Sequence, residues 1–351
     1  MSSVRDHRRR IAVLGAWAST AFGCASVLGL EDHEPFPVQA GVDGGGSDEV
    51  SAGGEAGAAD ASSSPAFGDP VILAKGLTDV KGMGSDANDV FLTMASAGPT
   101  NLRRATRRPV SATGAAVTIL DQGPGVAGTG LVVATKGLYW PCYGGSPSLC
   151  FVDKGGSGLK VVNTGALNGW DRGTVYGASL YLFSASGTWA VQDDLTGLVR
   201  LTNATGANGC VDASSIYVTA NNQILRIRKE ADAGLEVVAD AQLAVRGLAL
   251  DATTLYWALE GGQVLAIDKT ATVGTPRVLA SGQAGPSSIA IDTDSVYFTN
   301  GGDGTVVRVP KAGGPTQTVA SGQSAPRNLR ADDAGLVWLD ANGDLVGALK
   351  R

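Results

Sequence analysis

Histidine is almost missing from this chain of 351 residues: the only two are His7 and His33. Beyond residue 33 there is none, which removes Ser-His-Asp and Cys-His catalysis and every histidine-ligated metal from the larger part of the sequence. Charge is scarce, at 17%, and aromatic residues make up only 6%. No long stretch after residue 66 has a 3.6-residue apolar period, so a helical architecture is excluded. The formal charge of −6 divides as +3 over residues 1–23, −8 over residues 25–66 and −1 over the rest. A near-neutral main region lacks the broad positive field that nucleic acids require, and none is expected as a partner.

Glycine is abundant, with 50 residues. Together with many short Val/Ile/Leu/Tyr runs it points to strands joined by tight turns. From residue 70 one pattern recurs. Its clearest copy begins at Gly285. A short apolar strand ends in Asp292, and residues 293–295 turn into a second strand over 296–300. The Gly301-Gly302-Asp303-Gly304 run makes a hairpin turn, an alternating strand covers 305–309, and a fourth strand covers 316–320. The aromatic of the second strand falls at Phe91, Tyr139, Tyr181, Tyr217, Tyr256 and Tyr297, and degenerately at Val337, with spacings of 48, 42, 36, 39, 41 and 40 residues. Five residues earlier stands an Asp in five units: Asp86, Asp212, Asp251, Asp292 and Asp332. An Asp side chain accepts backbone N–H groups two residues on, so these positions are read as turn-formers rather than catalytic groups.

Four short strands repeated about seven times are what a seven-bladed β-propeller needs. Glycine-rich turns every 8–12 residues exclude helical repeats of similar period. The last unit, 326–351, has residues for only three strands. Residues 70–76 match the fourth strand of another unit at 276–282. The N-terminal segment is therefore expected to supply the outer strand of the last blade, closing the ring and protecting its edges.

The units resemble NHL-type and YWTD-type propeller repeats, the latter through Leu138-Tyr139-Trp140 and Leu255-Tyr256-Trp257. The resemblance covers residues 70–351 and implies fold more than function, because propellers host binding, scaffolding and catalysis alike. In propellers of this type the loop before each innermost strand faces one end of the central channel. Those positions align to Lys81, Thr129, Asp171, Ala207, Arg246, Ser287 and Arg327, with Trp170 beside them. Lys81, Trp170, Asp171, Arg246, Ser287 and Arg327 are the expected ligand-binding residues, a mixed set suited to a polar ligand or a peptide. They lack the carboxylate-Asn-Asp metal set of sugar-lactonase-like propellers.

The N-terminus reads as an export signal. Residues 1–10 are basic, and residues 11–22 are apolar but too short to span a membrane. The segment ends at Ala21-Phe22-Gly23-Cys24. This resembles a bacterial lipobox, which implies a lipid on Cys24, although Ala21 stands where the usual Leu would be. Arg8-Arg9-Arg10-Ile11 resembles the start of a twin-arginine signal without the rest of that motif. Residues 24–66 are rich in Gly, Ala, Ser and acid and bury almost nothing. They read as a tether with a coil span of about 35 Å, similar in composition to those of predicted myxobacterial surface lipoproteins. The domain plan is thus signal 1–23, tether 24–66 and propeller 67–351.

Four further features bear on chemistry. Cys142 and Cys150 flank a hairpin-like turn, and export favours a disulfide between them. Cys210 falls where other units place Gly84, Thr174, Ala249 and Ala290, so it reads as a small buried thiol. Asp340 to Asp344 aligns with a hairpin turn rather than a calcium loop. Arg103, Arg104, Arg107 and Arg108 form the one dense basic run, a patch that an anionic partner would meet unless it is a solvated blade edge.

The expectation is therefore a monomeric, exported, non-enzymatic propeller lipoprotein without cofactor or metal, held in the bacterial cell envelope, at the outer membrane, by its lipid and binding a protein or glycan. The alternative is an exported hydrolase, lyase or lactonase using a channel-bound cation.

Overall fold

The repeat is built around its Asp turns. In the computed structural model, Oδ1 of Asp292 accepts the backbone N–H of Asp294 at 3.0 Å and of Ser295 at 2.8 Å. That bond pair turns the chain from the strand Pro286–Ile291 into Ser295–Asn300. Asp86, Asp212 and Asp251 hold the same two-amide turn in their own units. After the second strand, Gly304 reverses the chain at φ +71°, where a Cβ would lie 2.1 Å from the carbonyl oxygen of Gln323. The strands Thr305–Pro310 and Gln317–Ala320 complete the sheet.

The structure describes residues 66–351 apart from 96–99, 107–115, 124, 127–128, 144–145, 166, 168, 205, 207, 230–233, 241 and 333–334. The signal segment, Cys24 and the tether to residue 65 lie outside the described residues. Seven antiparallel sheets form, each a blade, and their order makes an all-β, seven-bladed propeller. The innermost strands are Val80–Ser85, Arg172–Tyr176, Gly209–Val211, Val245–Leu250, Pro286–Ile291 and Arg327–Asp332 in blades one and three to seven. Blade two differs: its inner edge is split into Gly125–Val126 and Val132–Val133, both paired with Leu138–Tyr143.

Closure follows the expected plan. Val71–Ala74 pairs antiparallel with Leu345–Leu349 as the outer strand of blade seven. The seam continues beyond that strand through Gly68 N–H to Leu349 O at 2.9 Å, Leu77 N–H to Gly343 O at 2.7 Å and Arg351 N–H to Ala66 O at 2.9 Å. Leu73, Ala74 and Leu77 are buried against the last and first blades.

Adjacent blades are also joined by ion pairs at one end of the ring. In four of the turn Asp residues the second carboxylate oxygen reaches a lysine that follows the third strand of the next blade. The pairs are Asp86–Lys154 at 2.6 Å, Asp212–Lys269 at 2.7 Å, Asp251–Lys311 at 2.9 Å and Asp292–Lys350 at 2.8 Å. Burial pushes these four carboxyls up, but the lysine and the turn amides outweigh it and hold each below its ordinary value. Between blades two and three the polarity is reversed: Ala134 replaces the Asp, Asp193 replaces the Lys, and Lys136 bonds Asp193 at 2.6 Å. Between blades three and four the Asp is Tyr176, and Lys229 lies over its ring, 4.1 Å from the centroid. For the remaining seam the residue that follows the third strand of blade one, Thr100–Thr106, is Arg107, which lies outside the described residues.

Candidate ligand site

Because the inner strands start at one end of the ring and finish at the turn Asp residues, the ion-paired end and the channel mouth are opposite ends. At the mouth lies a cavity of about 290 Å³ to which all seven blades contribute. Its charged lining is Lys81, Arg172, Arg246 and Arg330, with Asp171 as the one carboxylate. Thr129, Asn208, Ser287 and Asn328 add uncharged polar groups. Two positions along the inner strands from Lys81, Thr129 and Arg246, the lining becomes apolar at Met83, Leu131 and Leu248.

Each charged group has neighbours. Lys81 pairs with Asp79 at 2.6 Å, and Arg246 pairs with Glu260; all four side chains are exposed. Arg172 donates to the carbonyl of Arg246 at 3.4 Å. Asp171 accepts the Thr129 hydroxyl at 3.1 Å. Ser287 is already engaged, donating to Pro326 O at 2.7 Å and sharing a 2.8 Å bond with the Thr299 hydroxyl. Arg330 donates to Met83 O at 2.9 Å, spanning the closing seam from blade seven to blade one.

Of the residues expected at the mouth, Lys81, Asp171, Arg246 and Ser287 line the cavity together. Trp170 does not. It is buried among Val132, Leu167 and Leu182, and its ring occupies the space a side chain at residue 130 would need: a Cβ on Gly130 would fall 1.9 Å from it. Trp170 thus fills the seam between blades two and three. Arg327 is also outside the lining and donates to Asp340 O at 3.2 Å. The pairing register of its strand shifts between Arg327 and Arg330, with Asn328 at φ +55°. Asn328 and Arg330 line the cavity in its place.

Arg330 has a specific local cause. It occupies the inner-strand position that faces the second-strand aromatic, where the other blades have Gly84, Val132, Thr174, Cys210, Ala249 and Ala290. In blade seven the facing residue is Val337. A smaller second-strand side chain leaves room for a larger inner one, and that room is taken by a guanidinium.

The other chemical features resolve into architecture. Cys142 and Cys150 are disulfide-bonded across the second and third strands of blade two, both fully buried. Cys210 is a buried free thiol. Asp340 Oδ1 accepts the Asp344 N–H at 2.9 Å inside a hairpin turn. Arg103 and Arg104 are consecutive on the strand Thr100–Thr106, so they face opposite sides of the sheet. Arg104 pairs with Phe91 as Arg226 pairs with Tyr217 and Arg308 with Tyr297, a recurring third-strand position. Arg107 and Arg108 lie outside the described residues. Among the described residues no group of three or more His, Cys, Asp or Glu is placed to hold a metal.

No protein-family model matches the sequence, and neither does any curated protein. Solved structures do resemble the fold. A YCF48 structure bound to D1 peptide aligns with a TM-score of 0.61 at 13% identity, covering 82% of this chain and 98% of that one. The virginiamycin B lyase from Staphylococcus aureus, in a catalytically inactive form with quinupristin, aligns at 0.59 and 14% identity over 81% of this chain and all of the other. PorZ, a surface component of the type-IX secretion system of Porphyromonas gingivalis, aligns at 0.57 and 12%, over 81% of this chain but 39% of its own. At these identities the likeness is one of fold, and function has to be argued from the site.

Proposed function

We propose that this protein is an exported, lipid-anchored, monomeric β-propeller that acts as a non-enzymatic binding module, holding a protein or glycan at the channel mouth. The observation that carries this reading is the polar cavity to which all seven blades contribute at one end of the ring. Concave sites with a few converging polar groups are where ligands bind, and the outer strands carry only scattered exposed apolar residues such as Val117, Val199 and Val278. The lipobox-like Ala21-Phe22-Gly23-Cys24 and the acidic, glycine-rich tether support a surface anchor with reach.

The lyase neighbour's inactive form is a histidine-to-alanine variant, whereas the present chain has no histidine beyond His33. That difference favours binding over the lyase alternative. The test is photo-crosslinking in cells from the mouth at Lys81 and from the outer edge at Val278. Crosslinks to a discrete partner are expected from the mouth alone. Equal crosslinking from both positions, or a stoichiometric divalent cation in the purified protein, overturns the reading. The anchor is tested by mass spectrometry of the mature chain, expected to begin at a lipidated Cys24; a mature N-terminus elsewhere rules it out.

A further inference from the structure

We infer that the channel mouth selects a carboxylate-bearing, acidic peptide segment as its ligand; this rests on the mouth being the binding site. The region 67–351 carries a net charge of only −1, yet the cavity lining holds four cations against one carboxylate. Positive charge is thus concentrated in one concavity of a nearly neutral domain. A cleft of one sign with low-dielectric walls focuses its field and favours an oppositely charged group.

Three of the four cations are arginines, whose planar guanidinium matches a carboxylate with paired N–H groups. They come from different blades: Arg172 from blade three, Arg246 from five and Arg330 from seven. An entering anion therefore meets donors converging from around the ring. At the rim, the exposed Lys81–Asp79 and Arg246–Glu260 pairs are worth little in water, so a ligand carboxylate can take over the cation. The same two rim acids disfavour a long polyanion such as a nucleic acid. Met83, Leu131 and Leu248 end the polar path, which suits insertion of one anionic tip rather than a threaded chain.

Peptide is favoured over acidic glycan by what the lining holds. A sugar ring presents an apolar C–H face that flat aromatic side chains cover well. Among the described lining residues there is no Phe, Tyr or Trp, and Trp170 is spent inside the seam behind Gly130.

The test is equilibrium binding to the full chain. The probes are a short peptide ending in two acidic residues, its counterpart with amides in place of every carboxyl, a trimer of galacturonate, and inorganic phosphate. The acidic peptide is expected to bind at least about tenfold more tightly than the amide peptide, with affinity falling as salt rises. Arg330→Gln is expected to weaken it about tenfold. Arg246→Gln, at a half-exposed position away from the closing seam, is expected to weaken it several-fold in a protein whose melting temperature is unchanged. Equal affinity for the two peptides, no effect of Arg246→Gln, or binding of galacturonate or phosphate in preference to the peptide overturns the assignment. If crosslinks still map to the mouth in that event, the ligand class is wrong and the binding-module reading stands. If they map elsewhere, the site itself is wrong.

Discussion

Lys350, one residue beyond the last strand of blade seven, donates to Asp292 of blade six at 2.8 Å. The same carboxylate takes the Tyr297 hydroxyl at 2.6 Å and caps its own turn with Oδ1. One nearly buried side chain thus fixes a turn, orients a core tyrosine and joins two blades. Burial pushes the Asp292 carboxyl up, and Lys350 with Tyr297 pulls it further down, to below its ordinary value. Burial and the neighbouring Asp292 together raise the Tyr297 hydroxyl.

Asp292→Asn should therefore destabilise the propeller by about 2–4 kcal/mol, because it leaves the Lys350 ammonium half-buried without its counter-charge. The pH dependence has a definite sign. A carboxyl whose folded pKa lies below its unfolded one contributes fully above the unfolded value, near 4, and loses that contribution as pH falls through the folded value. Urea midpoints of the wild type should fall steeply below pH 4, and Asp292→Asn should show a shallower fall. Parallel profiles for the two proteins would remove Asp292 from the acid transition.

The disulfide of blade two closes a short loop, with Cys142 and Cys150 eight residues apart. Loop-closure entropy for such a span is about 2–3 kcal/mol. Replacing both cysteines with alanine should lower stability by that amount, and non-reducing peptide mapping should recover residues 142 and 150 in one linked fragment. Cys210, buried in the inner strand of blade four, should stay inaccessible to thiol reagents until the protein unfolds.

Closure rests on a segment far in sequence from its partner: Val71 pairs with Gly347, 276 residues on. Deleting residues 66–76 removes the buried Leu73 and Ala74 and exposes the edge of Leu345–Leu349. At about 1.5–3 kcal/mol for each large apolar side chain lost, the melting temperature should drop by roughly 10 °C or more. An unchanged melting curve would mean that the ring is held by the remaining seams alone.

Blade number and closure were readable because they depend on local signals: the aromatic spacing, the turn glycines, and an outer strand at residues 70–75 with no blade of its own in front of it. The turn role of Asp292 was readable for the same reason, since its amides lie two and three residues on. Its lysine partner was not, because each such lysine comes from the next blade, 57 residues away for Asp212 and 68 for Asp86. Recurrence of Lys154, Lys229, Lys269, Lys311 and Lys350 after the third strand was the available signal. At the mouth, alignment located Lys81, Asp171, Arg246 and Ser287; Lys81, Arg246 and Ser287 each sit at a register shift that falls at the same place in their strands. It misplaced Arg327 because in blade seven the shift falls between Arg327 and Arg330 instead, and such a displacement leaves no periodic trace. It placed Trp170 on the channel because nothing local shows that Gly130 yields its space to the indole. The clue to Arg330 was Val337, the one unit without its aromatic.

Lys229 replaces the Asp–Lys pair at the seam between blades three and four with an ammonium between two tyrosine rings, 4.1 Å from the Tyr176 centroid and 4.8 Å from Tyr181. It also donates to Asp212 O at 2.5 Å. Burial outweighs the attraction of the Asp212 charge and lowers the amine to about 8, from an ordinary 10.5. Between those values the unfolded chain binds a proton that the folded chain does not, so stability should rise with pH across that window. Above about pH 10 the sign reverses. Burial raises Tyr139 to about 12 and also raises Tyr181, Tyr217, Tyr256 and Tyr297, so the folded state keeps protons that the unfolded chain loses. Denaturant midpoints measured from pH 7 to 11 should therefore climb and then fall. Lys229→Met should abolish the climb and keep the fall, because the tyrosines are untouched. A climb that survives in Lys229→Met would assign it to another group, and a wild-type profile flat from pH 8 to 10 would show that this amine keeps its ordinary pKa.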